Sequence, residues 1–421
     1  MRLIEPLTDA YLGSQHRYEC KSLSDLDFLE TGVSRCISDS ASGRGFLQQH
    51  GDGGRKDIER TLFFKALKSE RRLGNLVSVN LNLVRPMASQ LDDPFAGIRE
   101  LEGFDIRAGD GHLHEAACHD PHKQKKLKPG KKKSNGDRQK QAKKLQTGHF
   151  YTLDMRTHHL RHLALAELRP GGGNEHDMHT LKRLGAEALR FGTKVGRKSM
   201  IVWDRACIDF GFWSEAKRLG VYFVSREKAN MNIEVIGLTP HFDRADPRNA
   251  GVTADELVGS GSSGEMIRRV TYTDVKGTTY KYLTNEMKLP AWVIVLLFKQ
   301  RWDIEKVFDE VKNKMGERKS WASSDAAKEV NANFICLAHN LMVLLEDEIE
   351  NKEDVNNVAE IKRKSEREAE AKKLGADYVA TLMQRFTVRS VKFVRWLQNF
   401  MYSETGWGEA LARLAKIYAH R

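Results

Sequence analysis

A carboxylate lies between two basic residues on one face of the apolar segment LLFKQRWDIEKVFDEVKNKMG, residues 296–316. On a helix that turns about 100° per residue, Arg301, Glu305 and Lys312 fall within about 40° of one another, and Phe298 lies within about 60° of them. The apolar side chains occupy the adjacent face, so this stripe follows the border of the buried surface. A carboxylate there can be partly desolvated yet reachable, as at the edge of an active site. The alternative is an amphipathic helix with a solvated ion-pair face.

The spacing F-x2-R-x3-E-x6-K resembles the tyrosine–arginine–glutamate–lysine signature of one large branch of bacterial insertion-sequence transposases. Phe298 stands where that family has tyrosine. The flanking segments, residues 280–287 and 331–345, also resemble the family, and the resemblance extends over roughly residues 100–350. It implies that Glu305 is the third carboxylate of an Asp-Asp-Glu triad, with two aspartates upstream.

Asp204 is the stronger of the two upstream candidates. The short apolar strand predicted over residues 199–204 ends on it, and ligands of open α/β sheets collect at the carboxyl ends of their strands. The alternative is an aspartate that serves only as a turn residue or a helix cap.

Asp110 is the other candidate, although the segment around it, FDIRAGDGHLHEAACHD, is a poor strand by pattern. Gly109 and Gly111 allow close approach of a metal ion or of another backbone. The segment also resembles the first-aspartate segment of the transposase family. Three further acidic residues compete for this position: Asp105, Glu115 and Asp120.

The resemblance implies a two-metal mechanism in which Asp110, Asp204 and Glu305 bind Mg²⁺, with Mn²⁺ as a substitute. Carboxylates from three separate elements suit such hard cations. Asp309 lies close to the same helical stripe and is a rival to Glu305. In the family, the arginine and lysine of the signature contact DNA phosphates, which predicts this role for Arg301 and Lys312. Phe298 lacks the tyrosine hydroxyl but can still stack or pack.

The charge balance also points to nucleic acid. Lys and Arg outnumber Asp and Glu by 69 to 57, which gives a net charge of +12 and favours a polyanionic partner. Residues 123–144 contain eleven Lys or Arg and one acid. Within them Lys131, Lys132 and Lys133 are predicted to contact phosphate, and a solvated charge run is the alternative.

A histidine-rich segment and the cysteines carry weaker signals. His112, His114, Cys118, His119 and His122 resemble a zinc cluster in composition, but their spacing matches no structural site with two separated ligand pairs. The five cysteines form no C-x2-C pair, which fits a reducing cytoplasm. The longest apolar run has eight residues, 291–298, so we expect neither a membrane span nor a secretion signal.

The pattern of predicted elements indicates a mixed α/β protein with a ribonuclease-H-like catalytic core, the specific fold name coming from the resemblance. We predict four regions: a helical N-terminal region (1–97), the catalytic core (98–226 and 286–350), a β-rich insertion (227–285) and a helical C-terminal region (351–421). The resemblance implies that the N-terminal region binds the DNA end of the element.

We predict two strands in 150–168, a helix over 177–191, a strand over 221–226 and a loop over 38–56. Helices are predicted over 57–73 with Asp57 as N-cap, and over 209–220 with Asp209 as N-cap and Gly220 as terminator. Three β-like runs are predicted in the insertion, over 232–238, 266–274 and 278–284, and a charged helix over 360–379.

The resemblance implies a transposase that acts as a homodimer or larger multimer on the terminal inverted repeats of its element, with double-stranded DNA as partner. A ribonuclease-H-like nuclease that cleaves without strand transfer is one alternative. A degenerate copy that only binds DNA is the other.

Overall fold

A computed structural model of the chain describes most of its residues. The described ranges are 5–38, 42–52, 57–84, 93–117, 146–168, 174–239, 242–259, 264–315, 319–353, 391–401 and 405–419, with isolated positions between 355 and 369. No helix in these ranges is long and apolar enough to cross a membrane.

A nine-stranded sheet forms the centre of the molecule, with the strand order β3-β2-β1-β4-β5-β9-β8-β7-β6. The strands are β1 Phe104–Glu115, β2 Gln146–Asp154, β3 Leu160–Leu165, β4 Lys198–Trp203, β5 Val221–Arg226, β6 Glu234–Leu238, β7 Val252–Gly259, β8 Met266–Thr273 and β9 Thr279–Thr284.

The N-terminal half of the sheet, β1 to β5, combines two antiparallel pairings with two parallel ones. β1 pairs antiparallel with β2 and β2 with β3, whereas β1–β4 and β4–β5 are parallel. The connections between β3, β4 and β5 carry the helices α6 (Asp177–Ala188) and α7 (Phe210–Arg218). This arrangement confirms the mixed ribonuclease-H-like sheet expected from the sequence.

β1 is a long central strand despite its unfavourable sequence pattern. A Cβ atom built on Gly109 would lie 1.9 Å from the ring of Trp203 on β4, so this position accepts only glycine while the indole occupies that space. Neighbouring strands on both sides supply the pairing that the local sequence does not predict.

The C-terminal half of the sheet, β6 to β9, lies between β5 and the next helix in sequence and continues the same sheet through antiparallel pairing of β5 with β9. Three of its strands were predicted as β-like runs. The fourth, β7, was missed because its sequence VTADELVG carries three polar residues in an edge-proximal strand.

The remaining helices pack against strands of both halves of the sheet and against one another. They are α1 Glu5–Leu12, α2 Asp25–Cys36, α3 Gly43–Asp52, α4 Arg60–Ala66, α5 Glu70–Val84, α8 Ala291–Gln300, α9 Trp302–Asn313, α10 Asp325–Lys352, α11 Val391–Met401 and α12 Trp407–Ala419. The 28-residue helix α10 is buried along most of its length, and its Asn340 bonds both β3 and Asn80 of α5.

Three predictions about helices were wrong. The predicted helix over 57–73 is two helices, α4 and α5, and Asp57 caps neither of them, since Glu59 is the N-cap residue of α4. The predicted loop over 38–56 contains α3, whose Phe46 and Leu47 are buried. The single helix assumed for 296–316 is interrupted: α8 ends at Gln300 and α9 begins at Trp302.

The predictions for the rest of the core are confirmed. Asp209 caps α7 by accepting a hydrogen bond from the Phe212 N–H at 2.9 Å, and Gly220 ends the turn after the helix with φ of +73°. The predicted charged helix of residues 360–379 lies mostly outside the described residues.

Candidate active site

Asp110 and Asp204 emerge side by side from two parallel strands. The last paired residues of β1 and β4 in register are Gly109 and Trp203, and the next residue of each chain segment is an aspartate. Asp110 lies inside β1, not at its end as expected, because β1 continues along β2 after β4 has ended. The carboxyl end of β4 therefore meets the middle of β1, and this step in the sheet places both aspartates at one edge.

Glu305 reaches the same edge from α9 through Arg301. The Arg301 Nη2 donates to Glu305 Oε1 at 2.6 Å, and Nη1 lies 3.6 Å from Asp110 Oδ2. Arg301 has helical φ and ψ of −56° and −28°, so the i,i+4 contact with Glu305 persists across the junction of α8 and α9. The guanidinium thus joins the first and third carboxylates of the predicted triad.

The environment of Asp110 opposes a negative charge. Burial raises the pKa of the Asp110 carboxyl to about 7, against the lowering effects of Arg301 and of the Gly111 N–H, which donates to Asp110 Oδ1 at 2.8 Å. Glu305 and Asp177 raise this pKa further. Asp110, Glu305 and Asp177 repel one another when all three are ionised. Arg301 alone does not supply enough positive charge to offset this repulsion.

Arg301 itself is incompletely paired. Its side chain is 7% exposed, and among the described residues its Nε and Nη1 have no hydrogen-bond partner. Buried guanidinium groups normally satisfy their donors, so the hydrogen bonding of Arg301 is incomplete in this arrangement.

Phe298 and Lys312 flank this centre. Phe298 packs on Tyr282 with ring centroids 4.9 Å apart, and the Arg301 guanidinium lies 5.5 Å from the centroid of its ring. Lys312 is exposed near His112, whose pKa is lowered to about 4 by burial and by the Lys312 charge. Of the four signature residues, Arg301 and Glu305 are hydrogen-bonded to each other, Phe298 packs on β9, and Lys312 lies near His112 of β1.

The other acidic residues that could have taken these roles are Asp105, Glu115 and Asp309. Asp105 lies near the other end of β1, where its carboxylate accepts from the Lys194 N–H and from Arg197. Asp309 is exposed and accepts from Asn313 at 2.5 Å. Glu115 ends β1, five residues beyond Asp110. These positions favour Asp110 over Asp105 and Glu305 over Asp309.

Several predicted residues lie outside the described part of the chain. They are Lys131, Lys132, Lys133, Asp120, Cys118, His119 and His122. Of the predicted histidine cluster, only His112 and His114 are described, and both project from β1 toward other side chains: His112 stacks on Phe308 with a centroid distance of 4.6 Å, and His114 approaches the Tyr151 hydroxyl at 3.2 Å.

Sequence reasoning missed three neighbours of the site: Asp177, Trp203 and Trp302. Asp177, the first residue of α6, accepts from the Trp203 indole at 2.9 Å. The exposed Trp302 follows Arg301 directly, where its indole offers a surface on which a nucleobase can stack. Trp203 and Trp302 could have been found because each is adjacent in sequence to a predicted site residue. Asp177 could be predicted only as the first residue of a helix.

The donor set fits a hard divalent cation in its chemistry. Asp110, Asp204 and Glu305 offer carboxylate oxygens only, the ligands that Mg²⁺ prefers. Within the described ranges, however, no group of three His, Cys, Asp or Glu residues is positioned to hold a metal ion as it stands. Arg301 supplies the positive charge between Asp110 and Glu305 in this arrangement.

Comparison with known proteins relates these features to mobile-element enzymes. The family model described as Transposase DDE domain matches residues 103–341. The Sinorhizobium fredii protein named "Putative transposase y4zB" is 28% identical over 146 residues, which is 34% of this chain and 41% of that protein.

The chain therefore matches less than half the length of this curated relative. A solved structure, the piggyBac transposase synaptic complex with hairpin DNA, aligns over 99% of this chain and 78% of its own with 10% identity and a TM-score of 0.38. Because the family model covers more than half of the chain, including Asp110, Asp204 and Glu305, the protein belongs to the DDE transposase domain family.

Proposed function

We propose that the protein is the transposase of an insertion sequence, from the branch with the tyrosine–arginine–glutamate–lysine signature. It cleaves DNA at terminal inverted repeats and joins the freed 3′-hydroxyl ends to target DNA. The observation that carries this proposal is the position of Arg301, a buried guanidinium between Asp110 and Glu305 with donors to spare.

Asp110, Asp204 and Glu305 would hold Mg²⁺, or Mn²⁺ in its place. When bound, a pair of such ions activates the attacking water or 3′-hydroxyl and stabilises the leaving oxygen. Asp110 would contribute as a carboxylate, so cation binding must release the proton that burial favours on it. Asp204, half-buried at the end of β4, is anchored through its backbone carbonyl, which accepts from the Ser225 hydroxyl at 3.0 Å.

Arg301 would change partners during the reaction. With Asp110 and Glu305 as ligands of a cation, the guanidinium would bind a phosphate of the DNA near the scissile bond through its paired N–H groups. Its placement on the junction between two helices keeps its backbone fixed while the side chain exchanges one oxygen ligand for another.

The surface around the site suits a DNA duplex. Lys312 is exposed near His112, Trp302 presents an aromatic face, and the eleven-cation segment that contains Lys131 to Lys133 follows β1 in the sequence. With a net charge of +12, we expect the affinity for duplex DNA to fall steeply between about 50 and 200 mM salt. We also propose that the protein acts on DNA as a homodimer or larger multimer, because two element ends must be joined in one reaction.

The test separates binding from chemistry. Glu305→Gln keeps the side-chain shape but removes a ligand charge, so cleavage of a DNA end carrying the inverted repeat in Mg²⁺ should fall more than about a hundredfold. Binding of the same DNA in a gel shift should stay unchanged or tighten, since a negative charge facing phosphate is removed.

Asp309→Asn, on the same helix but directed to solvent, is the matched control and should cleave like the unmodified protein. Normal cleavage by the Glu305 variant would refute the proposal. Cleavage without formation of joined products, assayed with a labelled 3′ end and a target plasmid, would favour the nuclease without strand transfer.

A further inference from the structure

Asp177 lies against the neighbours of both catalytic aspartates. Its Oδ2 accepts the indole N–H of Trp203, the residue before Asp204, at 2.9 Å. A Cβ atom built on Gly111, the residue after Asp110, would lie 3.7 Å from its Oδ1. The Asp177 carboxylate, at the start of α6, therefore lies near the position where β1 and β4 stop pairing.

The indole that holds Asp177 is itself fixed. Trp203 is fully buried, and its ring occupies the space that a side chain on Gly109 would need. Since the indole has one N–H donor and directs it at Asp177, the carboxylate is anchored through one oxygen. In the described part of the chain no hydrogen-bond donor contacts the other oxygen, and the residue is partly exposed.

The strand register supplies a second observation. Gly109 of β1 and Trp203 of β4 are the last residues that pair in register, so Asp110 and Asp204 follow side by side. The two residues that Asp177 approaches, Trp203 and Gly111, are their neighbours in the chain. Asp177 therefore lies beside the point from which both predicted metal ligands emerge.

Charge and chemistry indicate what such a carboxylate does. Mg²⁺ keeps several water ligands and takes only one or two carboxylates directly, so acidic groups at the next distance accept hydrogen bonds from those waters. An anchored carboxylate with one uncommitted oxygen, partly open to solvent, has the properties of such a group.

We propose that Asp177 is a fourth acidic residue of the active site, which accepts hydrogen bonds from the water ligands of the divalent ion bound by Asp110 and Asp204, with Trp203 holding it in position. The inference rests on the proposed function, because it assigns a role toward the same ions. It adds a residue from α6 to a site otherwise built from β1, β4 and α9.

The test uses Mn²⁺ alone as the probe, with binding to the full-length protein measured by electron paramagnetic resonance without DNA. Asp177→Asn keeps an oxygen for the Trp203 indole but removes the charge, and should weaken Mn²⁺ binding about tenfold to a hundredfold. The Mg²⁺ concentration for half-maximal cleavage should rise in parallel, with an unchanged melting temperature. Asp177→Glu, which restores the charge, should recover part of the loss.

Asp325→Asn is the matched control, because Asp325 is likewise the first residue of a helix, is exposed, and lies on α10 away from the site. It should leave Mn²⁺ binding unchanged. If Asp177→Asn binds Mn²⁺ within twofold of the unmodified protein while Asp110→Asn loses binding, Asp177 has no role toward the ion and the proposed function stands. If Asp110→Asn also binds Mn²⁺ normally, the proposed metal site itself is wrong.

Discussion

Two buried arginines, Arg268 in the C-terminal half of the sheet and Arg301 at the junction of α8 and α9, are paired in opposite ways. Arg268 on β8 donates to both oxygens of Asp255 on β7, at 2.8 and 2.6 Å, and also to the Leu289 carbonyl. Both side chains of this pair are 0% exposed. Arg301 makes one short hydrogen bond to Glu305 and one longer contact with Asp110, with two nitrogens unbonded among the described residues.

The difference separates a structural ion pair from a functional one. Asp255 receives a further hydrogen bond from the Thr239 hydroxyl at 2.8 Å, so the pair in the C-terminal half is closed and leaves no oxygen for a ligand. Around Arg301 two acidic groups, Asp110 and Glu305, share one guanidinium, and two of its nitrogens have no hydrogen-bond partner among the described residues. A buried ion pair whose hydrogen bonds are all satisfied has a structural role. A buried charged group with unsatisfied hydrogen-bond donors can instead bind a ligand.

The largest effect on stability should come from breaking the closed pair. Asp255→Ala leaves the Arg268 cation buried without a counter-charge, and should lower the free energy of unfolding by about 3–5 kcal/mol. Urea denaturation followed by circular dichroism measures this change. The double variant Asp255→Leu with Arg268→Met removes both charges and should recover most of the loss; a single variant that loses less than about 1 kcal/mol would contradict the comparison.

A smaller effect should distinguish the two halves by acid sensitivity. Burial lowers the pKa of His114 and of His162 to about 3, whereas an exposed histidine has a pKa of 6.5. As pH falls below 6.5, the unfolded chain takes up protons that the folded chain does not, so each histidine costs about 1.4 kcal/mol of stability between pH 7.5 and 5.5.

The described residues of the C-terminal half, from 227 to 285, contain no histidine, so this loss belongs to the N-terminal half. His114→Gln should reduce the drop in unfolding free energy between pH 7.5 and 5.5 by about 1.4 kcal/mol, measured by denaturation at both pH values. An identical drop in the variant and the unmodified protein would show that this histidine is already accessible to protons in the folded state.

The smallest change in stability should come from Arg301. Arg301→Met removes one short hydrogen bond but also a buried, incompletely bonded cation, so the unfolding free energy should change by no more than about 1 kcal/mol. The affinity for duplex DNA should fall. The slope of the logarithm of the affinity against the logarithm of the salt concentration should become less steep by the contribution of about one phosphate contact. A destabilisation as large as that of Asp255→Ala would place Arg301 with the structural pairs.

Local chemistry made some elements predictable and others not. The N-cap Asp209, the positive φ of Gly220 and the apolar run before Asp204 are each specified within a few residues, and the helix and strands there follow the prediction. β1 was misjudged because its strand character comes from β2 and β4 on either side. α4 and α5 were merged because the apolar periodicity continues through the turn that separates them.

By itself, the sequence determined which residue types share the helical stripe and which aspartates follow apolar segments, because helical period, caps and strand ends are local properties. It also determined the positive net charge. The tertiary structure alone decided that Asp110 and Asp204 leave parallel strands side by side, that Arg301 joins Asp110 to Glu305, and that Asp177 and Trp203 stand behind them. These relations join residues about 26 to 190 positions apart in sequence, and only long-range strand pairing and helix packing bring such residues together.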